Sequence, residues 1–198
     1  MVVVIDPQIA GISGDMLLCS LVDLGADKNK ILDGVKQSEN FFLNSSIKKI
    51  DFQKIQKHGI QSIQLILEVE EDVHKRKGSE IKKAITDSIQ AIGLSEKAKI
   101  FSESCIDTLI SSESKIHGIP EDSVHFHEAS SIDTLVDIVG ITIALEDLEL
   151  FDEKILCLPI SVEIGRAHVW TPVTSLSRMP SSAWKKKKKN PLLSRHYS

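Results

Sequence analysis

The sequence predicts an α+β or mixed α/β fold, with one sheet that includes a β-hairpin and with helices packed over that sheet. Three observations support this class. Short β-branched apolar runs at residues 2–5 and 155–160 predict strands. An alternating segment predicts a hairpin, and apolar residues at helical spacing fill most of the rest. The predicted order of elements, βαα–ββ–ααα–β, is typical of such a domain.

The N-terminal part is predicted to hold a strand and two helices. The apolar run Val2–Ile5 is closed by an Asp-Pro pair and predicts a buried strand. Apolar residues at helical spacing from Met16 onward predict a helix that ends at Gly25, in the position of a C-cap glycine. Residues 28–37 predict a second, short helix.

The rest of the chain is predicted to contain the hairpin, three helices and a last strand. Polar and apolar residues alternate on both sides of Gly59, which predicts residues 47–55 paired with residues 60–69. Ser95 followed by Glu96 is typical of a helix start. The other elements are predicted as helices at residues 78–92, at residues 95–116 and up to about Leu148, and as a strand at residues 155–160.

Composition and charge limit the functions that are compatible with the chain. It has 198 residues, of which 41% are hydrophobic and 26% charged, as in ordinary soluble globular proteins. Residues 1–163 hold 16 basic and 28 acidic residues, a formal net charge of −12 that argues against nucleic acid as a partner. No run approaches the roughly 18 apolar residues of a membrane span. Three dispersed cysteines fit a reducing compartment, so we expect a cytoplasmic protein without a membrane partner.

Residues 164–198 differ from the rest, with eight basic and no acidic residues. This tail resembles the translation of a common short-read sequencing adapter in which two TGA codons are read as tryptophan, at Trp170 and Trp184. The interpretation predicts a non-native tail, and a genomic TGG codon at either tryptophan would contradict it. The alternative is a disordered basic tail that binds acidic partners.

The segment after the first predicted strand has the features of a ligand loop. Asp6 stands at the C-terminal end of the strand, where open α/β sheets bind their ligands. Gly11 and Gly14 permit close backbone approach, and Ser13 can cap the next helix. The free N–H groups of that helix start form a candidate anion site, and Asp15 suits the helix dipole. The alternative is an ordinary strand–turn–helix connection.

A second group of polar residues lies between positions 125 and 137. His125 and His127 are two residues apart, so in an extended segment both imidazoles project to one side, with Glu128 beside them. Asp133 and Asp137 are four residues apart and share one face of a predicted helix. Apolar residues cover most of that helix, so these carboxylates would need a cation or N–H donors. The alternatives are structural histidines and a solvated strip of aspartates.

These motifs resemble the LarC family of nickel-insertion proteins. The resemblance rests on DPQIAGISGDMLLCSLVDLGAD, on ESKIHG and on VHFHEASSIDTLVDIVG, and it spans residues 2 to about 162. It implies a nickel insertase (a cyclometallase of the lyase class) that inserts Ni(II) into pyridinium-3,5-bisthiocarboxylic acid mononucleotide. The product would be the nickel-pincer nucleotide cofactor, with a carbon–nickel bond. The resemblance also implies that CTP is consumed with the help of Mg or Mn, and it leaves a homo-oligomer open.

The resemblance carries over two sets of residues and assigns no catalytic residue. The metal-handling set comprises Asp6, Asp15, His125, His127, Glu128, Asp133 and Asp137. The cofactor-binding set, which would contact an anion or phosphate, comprises Gly11, Ser13, Gly14 and His117. His117 also precedes Gly118, where the pair could simply end a helix. Where the family typically has HEVG, this chain has HEAS at residues 127–130, which affects the turn into the helix.

Family members are roughly twice as long as this chain, and their C-terminal half is expected to hold the CTP site. We therefore expect residues 1–163 to be the N-terminal domain of such a protein, which by itself would not complete the reaction. Two other functions fit the same residues. One is a metal-dependent phosphohydrolase, in which a strand-end aspartate and a histidine pair hold an activated water. The other is a non-catalytic nickel-binding carrier.

Overall fold

The computed structural model describes residues 2–8, 11–57, 59–71, 75–126 and 131–160 of the chain. These residues form five α-helices and six strands, and this confirms the predicted α+β class. Short 3₁₀ turns at Glu39–Phe41, Glu121–Ser123 and Leu150–Asp152 complete the structure. The strands are β1 (Val2–Ile5), β2 (Ser45–Lys57), β3 (Ile60–Glu71), β4 (Arg76–Lys77), β5 (His125–Phe126) and β6 (Lys154–Cys157). The helices are α1 (Gly14–Leu24), α2 (Lys28–Ser38), α3 (Gly78–Ile92), α4 (Glu96–His117) and α5 (Ser131–Asp147).

The strands pair as three separate two-stranded ladders in the described part of the chain, not as one sheet. β1 and β6 are parallel, with Val2 opposite Lys154. β2 and β3 form the predicted antiparallel hairpin, although both strands are longer than the sequence pattern indicated. β4 and β5 pair over two residues each, which is too short for a periodic pattern to reveal.

The β1–β6 ladder is more exposed than predicted. The run Val2–Ile5 was expected to be buried, but Val2 and Val4 expose 57% and 56% of their surfaces. Parallel strands usually have both faces covered, whereas here only alternate residues of β1 face the rest of the described structure. The last strand is also shorter than predicted, because it ends at Cys157 and Pro159 cannot continue a ladder.

Helix α5 is the centre of the core. It packs against each of the other four helices. Its apolar side chains face several neighbours at once, as the nearly continuous apolar surface of its sequence indicated. The side chains of Ile132, Leu135, Val136 and Val139 have no exposed surface. Because the N-terminal half of α5 packs against α1, the core also fixes the place where the candidate site residues meet.

Helix ends follow local sequence signals. Gly25 ends α1 with a φ of 126°, and Gly118 ends α4 with a φ of 64°, conformations that favour glycine. Ser95 begins α4, and its hydroxyl oxygen accepts a hydrogen bond from the backbone N–H of Ala98. The predicted helix boundaries at these three positions are therefore confirmed. None of the described helices is long and apolar enough to cross a membrane.

Candidate functional site

The loop after β1 begins with a local carboxylate turn. Asp6 Oδ1 accepts a hydrogen bond of 3.1 Å from the backbone N–H of Gln8, and the Asp6 side chain is exposed. Gly11 has a φ of 74°, and its N–H donates to the carbonyl of Pro7 at 3.0 Å. Glycine is favoured at this position because other residues adopt such a φ only with strain. Asp6 also lines a cleft between β1 and α1, and a ligand contact by Asp6 stays a prediction.

Helix α1 starts differently from the expected serine cap. Ser13 occupies the N-cap position, but its side chain makes no capping bond to the helix backbone. Its hydroxyl donates instead to Asp15 Oδ1, and the same oxygen accepts the N–H of Met16 at 2.8 Å. The carboxylate of Asp15 is therefore held against the first turn of α1, where the helix dipole favours a negative charge.

A close contact between two helices brings Asp137 to the same place. A Cβ atom added to Gly14 would overlap the Asp137 carboxylate and would stand 2.7 Å from Asp137 Cβ. One turn further along, a Cβ on Gly140 would lie 2.9 Å from a methyl carbon of Leu18. Residue numbers rise together along both helices, so α1 and α5 run side by side in the same direction. The start of α1 therefore lies against the second turn of α5, where Asp137 is located.

Asp137 is the most perturbed carboxyl group of this site. Its Oδ1 atom is buried and has no hydrogen-bond partner among the described residues. Burial, and then the negative charges of Asp133 and Asp15, raise the pKa of Asp137 from 3.8 to about 7. Burying a carboxylate without a partner is unfavourable in free energy, so this oxygen is stabilised when it binds a proton or a cation. The expectation of partly buried carboxylates thus holds for Asp137, whereas Asp133 is exposed in the first turn of α5.

Cys19 lies beside these carboxylates, although the sequence motifs did not indicate it as a site residue. It lies four residues after Asp15, on the same face of α1, so helical spacing could have found it. The thiol is buried, and it accepts a hydrogen bond from the backbone N–H of Leu65 on β3. Burial raises the pKa of Cys19, the Leu65 N–H opposes this, and the carboxylates of Asp15 and Asp137 add to the rise. The sulfur atom is therefore a neighbour of both carboxylates.

The histidine part of the predicted site is only partly described. His125 lies on β5, and its half-buried side chain is opposite Lys77 across the β4–β5 ladder. His127 and Glu128 lie outside the described residues. In the described ranges, no three His, Cys, Asp or Glu side chains are arranged to hold one metal ion. The predicted ligand set of histidines and carboxylates therefore stays a prediction.

His117 lies on α4, whereas the other members of the predicted cofactor-binding set, Gly11, Ser13 and Gly14, lie before and at the start of α1. It occupies the last turn of α4, and its Nε2 is 3.3 Å from Glu113 Oε2 one turn earlier. Its side chain is 47% exposed. The adjacent Gly118 has the left-handed conformation of a C-cap. His117 and Gly118 therefore end α4, which is one of the two roles that the sequence allows for them. A cofactor contact by His117 stays a prediction.

The start of α1 is better suited to a cation than to an anion. The Asp15 carboxylate already accepts a hydrogen bond from the N–H of Met16 in the first turn of α1, and the Asp137 carboxylate lies against Gly14. A phosphate at this helix start would meet both negative charges at short range, which is unfavourable. A divalent cation would instead offset the mutual repulsion of the carboxylates and would give Asp137 Oδ1 a partner. Carboxylate, imidazole and thiolate groups are all ligands for first-row metals.

Comparison with known proteins identifies the family. The sequence pattern of the nickel insertion proteins matches residues 3–176. The chain belongs to the nickel insertion protein family. The family match continues past residue 163, and the structure describes nothing beyond residue 160, so the predicted domain boundary and the non-native tail stay predictions.

Three relatives are named pyridinium-3,5-bisthiocarboxylic acid mononucleotide nickel insertion protein. The protein of Staphylococcus saprophyticus is 40% identical over 162 residues, which cover 81% of this chain and 38% of the relative. The protein of Staphylococcus epidermidis is 38% identical over 160 residues, with the same coverage of 81% and 38%. The protein of Geobacillus kaustophilus is 34% identical over 173 residues, covering 83% and 40%. The chain thus spans about two fifths of these relatives. No solved structure matches it.

Proposed function

We propose that this chain binds nickel for its insertion into pyridinium-3,5-bisthiocarboxylic acid mononucleotide, the molecule in the names of its relatives. The observation that carries the proposal is the buried Oδ1 atom of Asp137, which has no described partner and lies near Asp15 where the start of α1 meets the second turn of α5. Nickel enters this proposal as a substrate, and Asp6, Asp15, Asp133 and Asp137 provide its carboxylate environment. His125, His127 and Glu128 would complete the donor set.

The two central carboxylates have different tasks in this proposal. Asp15 is held by a hydroxyl and a backbone N–H, so it is a fixed negative charge that attracts the metal. Asp137 has a pKa of about 7, so near neutral pH it can exchange its proton for a metal ion. Formation of a carbon–nickel bond at a ring carbon that carries hydrogen releases that hydrogen as a proton. A carboxylate with this pKa is suited to accept it.

The finer parts of the reaction are proposals about the whole protein. The reaction of the full-length relatives would consume CTP with Mg or Mn, and the CTP site would lie in the part of the relatives that this chain does not cover. In that scheme, the chain described here binds nickel and the mononucleotide, and the uncovered part of the relatives binds CTP and activates the mononucleotide with it. The chain alone is then a nickel-binding unit, which also accommodates the carrier alternative.

Titration of Ni²⁺ into the full chain by calorimetry at pH 7 tests the proposal. We expect one ion to bind per chain, and we expect Asp15→Asn and Asp137→Asn each to weaken binding at least about tenfold, as loss of a charged ligand does. Asp107→Asn is the matched control, because the Asp107 carboxylate pairs with Lys82 between α3 and α4. Equal affinity in all four proteins would overturn the carboxylate site. The pair His125→Ala with His127→Ala tests the imidazole ligands in the same way.

A further inference from the structure

The β1–β6 ladder has a free edge on each side. Within the described residues, β1 pairs only with β6, and β6 pairs only with β1. The carbonyl of Ile5 accepts the N–H of Leu158, so the backbone groups of Ile5 and Val3 point toward β6. The backbone groups of Val2 and Val4 alternate with them and point to the opposite edge, where they are able to pair with a further strand. Two strands of four residues are also too few for an independently stable sheet.

One face of this ladder is apolar and is not covered by any described residue. Residues that pair in register project to the same face, so Val2 and Val4 share a face with Lys154 and Leu156. The side chains of Val2, Val4 and Leu156 are exposed there. Parallel strands almost always have both faces covered, because their crossover connections place helices on them. This face therefore has the composition of a buried face.

A cleft between β1 and α1 extends the apolar surface. It has a volume of about 450 Å³, and all four residues of β1 line it. On its other side lie Met16 and Leu24 of α1, and Ile12 just before α1, and all three side chains are exposed. Among the described residues that line the cleft, Asp6 alone is charged, whereas 26% of the whole chain is charged. A continuous apolar surface of this kind is typical of an interaction site.

A second cleft beside α1 has a different chemistry. It lies between α1 and the hairpin, and its lining includes the polar side chains of Asp15, Ser62 and Gln64. Water forms hydrogen bonds with such groups, whereas exposed apolar side chains gain free energy when a partner covers them. The surface around β1 is therefore the better candidate for a protein partner.

The longer members of the family contain a suitable partner for this surface. About three fifths of each of the two staphylococcal relatives lies outside the region that matches this chain. The family pattern extends to residue 176, past the end of β6 at Cys157, so the polypeptide of the family continues from this ladder. Consecutive elements are usually neighbours in space. A second copy of the chain is less suitable, because residues 1–163 carry a formal net charge of −12 and two copies repel each other.

We propose that the β1–β6 ladder and the cleft between β1 and α1 form the interface with the C-terminal part of the full-length family members. That part extends the sheet at the edge formed by Val2 and Val4, and its apolar side chains cover the exposed face and the cleft. Asp6 lines the same cleft, so the C-terminal part lies next to the loop of the candidate site. The inference goes beyond nickel binding and does not depend on it, because it rests on a strand edge and an apolar surface.

Thiol labelling of a full-length chimera tests the interface. The chimera joins residues 1–160 of this chain to the part of the Staphylococcus saprophyticus relative that follows its matched region. Val4→Cys reports on the interface, and Ile100→Cys on α4 is the matched control, because the two side chains are 56% and 57% exposed. Iodoacetamide labels each variant in this chain and in the chimera, and mass spectrometry follows the introduced thiol. We expect labelling of Val4→Cys to be at least about tenfold slower in the chimera, and labelling of Ile100→Cys to be unchanged.

Two results of this experiment would overturn the proposal. One is an equal labelling rate of Val4→Cys in this chain and in a chimera that thermal melts show to be folded. The other is slow labelling of Val4→Cys in this chain alone, together with a dimer in light scattering, which would assign the surface to a second copy.

Hydrogen exchange of the natural full-length relative tests the same interface without a chimera. In this chain the amides of Val2 and Val4 point away from β6, so we expect them to exchange rapidly. In the Staphylococcus saprophyticus protein we expect fewer rapidly exchanging amides in the segment that aligns with β1, because a further strand pairs with that edge. An equal number of rapidly exchanging amides in the two proteins would contradict the extended sheet.

Discussion

At the scale of single residues, Asp137 combines burial, repulsion and a missing partner. Its carboxyl group lies against Gly14, and its Oδ1 atom is enclosed without a donor among the described residues. The charges that raise its pKa, Asp133 and Asp15, are both negative, and the Cys19 thiol is a further titratable neighbour. The ionised form of Asp137 is therefore unfavourable unless a cation is bound.

The raised pKa of Asp137 predicts a pH-dependent stability. The ordinary pKa is 3.8 and the folded protein has about 7, so the folded state binds more protons than the unfolded state between these values. The contribution of Asp137 to the free energy of unfolding therefore falls as the pH rises from about 4 to about 7. We expect Asp137→Asn to remove this loss and to be about 1–3 kcal/mol more stable than the parent at pH 8. Denaturant unfolding of the parent and of Asp137→Asn at pH 5 and pH 8 measures this difference in the free energy of unfolding.

The control for this prediction is Asp107→Asn, which removes a carboxylate that pairs with Lys82. Its difference from the parent should be small at both pH values, since exposed ion pairs contribute little. An Asp137→Asn protein that is no more stable than the parent at pH 8 would contradict the unfavourable ionisation of Asp137. Added Ni²⁺ should narrow the difference at pH 8, because a bound cation stabilises the ionised parent.

A second prediction concerns Gly14. In a helix, alanine is usually about 1 kcal/mol more favourable than glycine, so Gly14→Ala would ordinarily stabilise the protein. Here the new Cβ overlaps the Asp137 carboxylate, and we expect a net loss of about 1–3 kcal/mol in the free energy of unfolding. The loss should be smaller in an Asp137→Ala background, where only the 2.7 Å contact to Cβ remains. A stabilised Gly14→Ala protein would show that the helices do not approach this closely.

At the scale of elements, the ends of the helices tie the core together. Ser95 begins α4, and its backbone N–H and hydroxyl both donate to the carboxylate of Glu146 near the end of α5, at 3.0 and 2.8 Å. Asp147, the next residue of α5, accepts the N–H of Asp27 at the start of α2. The C-terminal end of α5 thus anchors the starts of two other helices, while its N-terminal end holds the candidate site.

The third prediction tests this junction. Ser95→Ala removes the cap of α4 and the hydroxyl bond to Glu146, and we expect the free energy of unfolding to fall by about 1–2 kcal/mol. Ser112→Ala is the matched control, because the Ser112 hydroxyl is exposed and donates only to the carbonyl of Thr108 within α4. That change should lie within about 0.5 kcal/mol of the parent. Equal losses in the two variants would show that the junction adds no stability.

At the scale of the whole molecule, the β1–β6 ladder joins the two ends of the described chain. Val2–Ile5 pairs in parallel with Lys154–Cys157, and Leu158 N–H donates to the carbonyl of Ile5 at 2.9 Å. Cys157 is exposed at the end of this ladder, Cys105 on α4 is half-buried, and Cys19 on α1 is buried. The three thiols therefore report on different depths of the fold.

The fourth prediction uses these thiols. Burial raises the pKa of both Cys19 and Cys105, so each has little thiolate at pH 8, and the Cys19 side chain is also buried from reagent. We expect a chromogenic disulfide reagent to label Cys157 rapidly and Cys105 more slowly in the folded chain, and Cys19 only as denaturant opens the structure. Cys157→Ser should remove the rapid phase. Rapid labelling of two or more thiols in the native chain would contradict the burial of Cys19 or Cys105.

Local signals in the sequence were sufficient for the five helices and the hairpin, because they depend on residues near one another in the chain. The glycine at position 25, the serine at position 95 and the alternating hairpin pattern each act within a few residues. The spacing of Asp133 and Asp137 likewise indicated their common helix, and the family resemblance came from the motifs around Gly14, His117 and Asp133. The tertiary structure decided which of them is buried, and it brought Asp137 against Gly14 through helix packing across more than a hundred residues. Tertiary packing also decided that Cys19 is buried, that β1 is exposed, and that a cleft opens between α1 and the hairpin. These properties depend on which element covers which face, and packing against distant residues determines that.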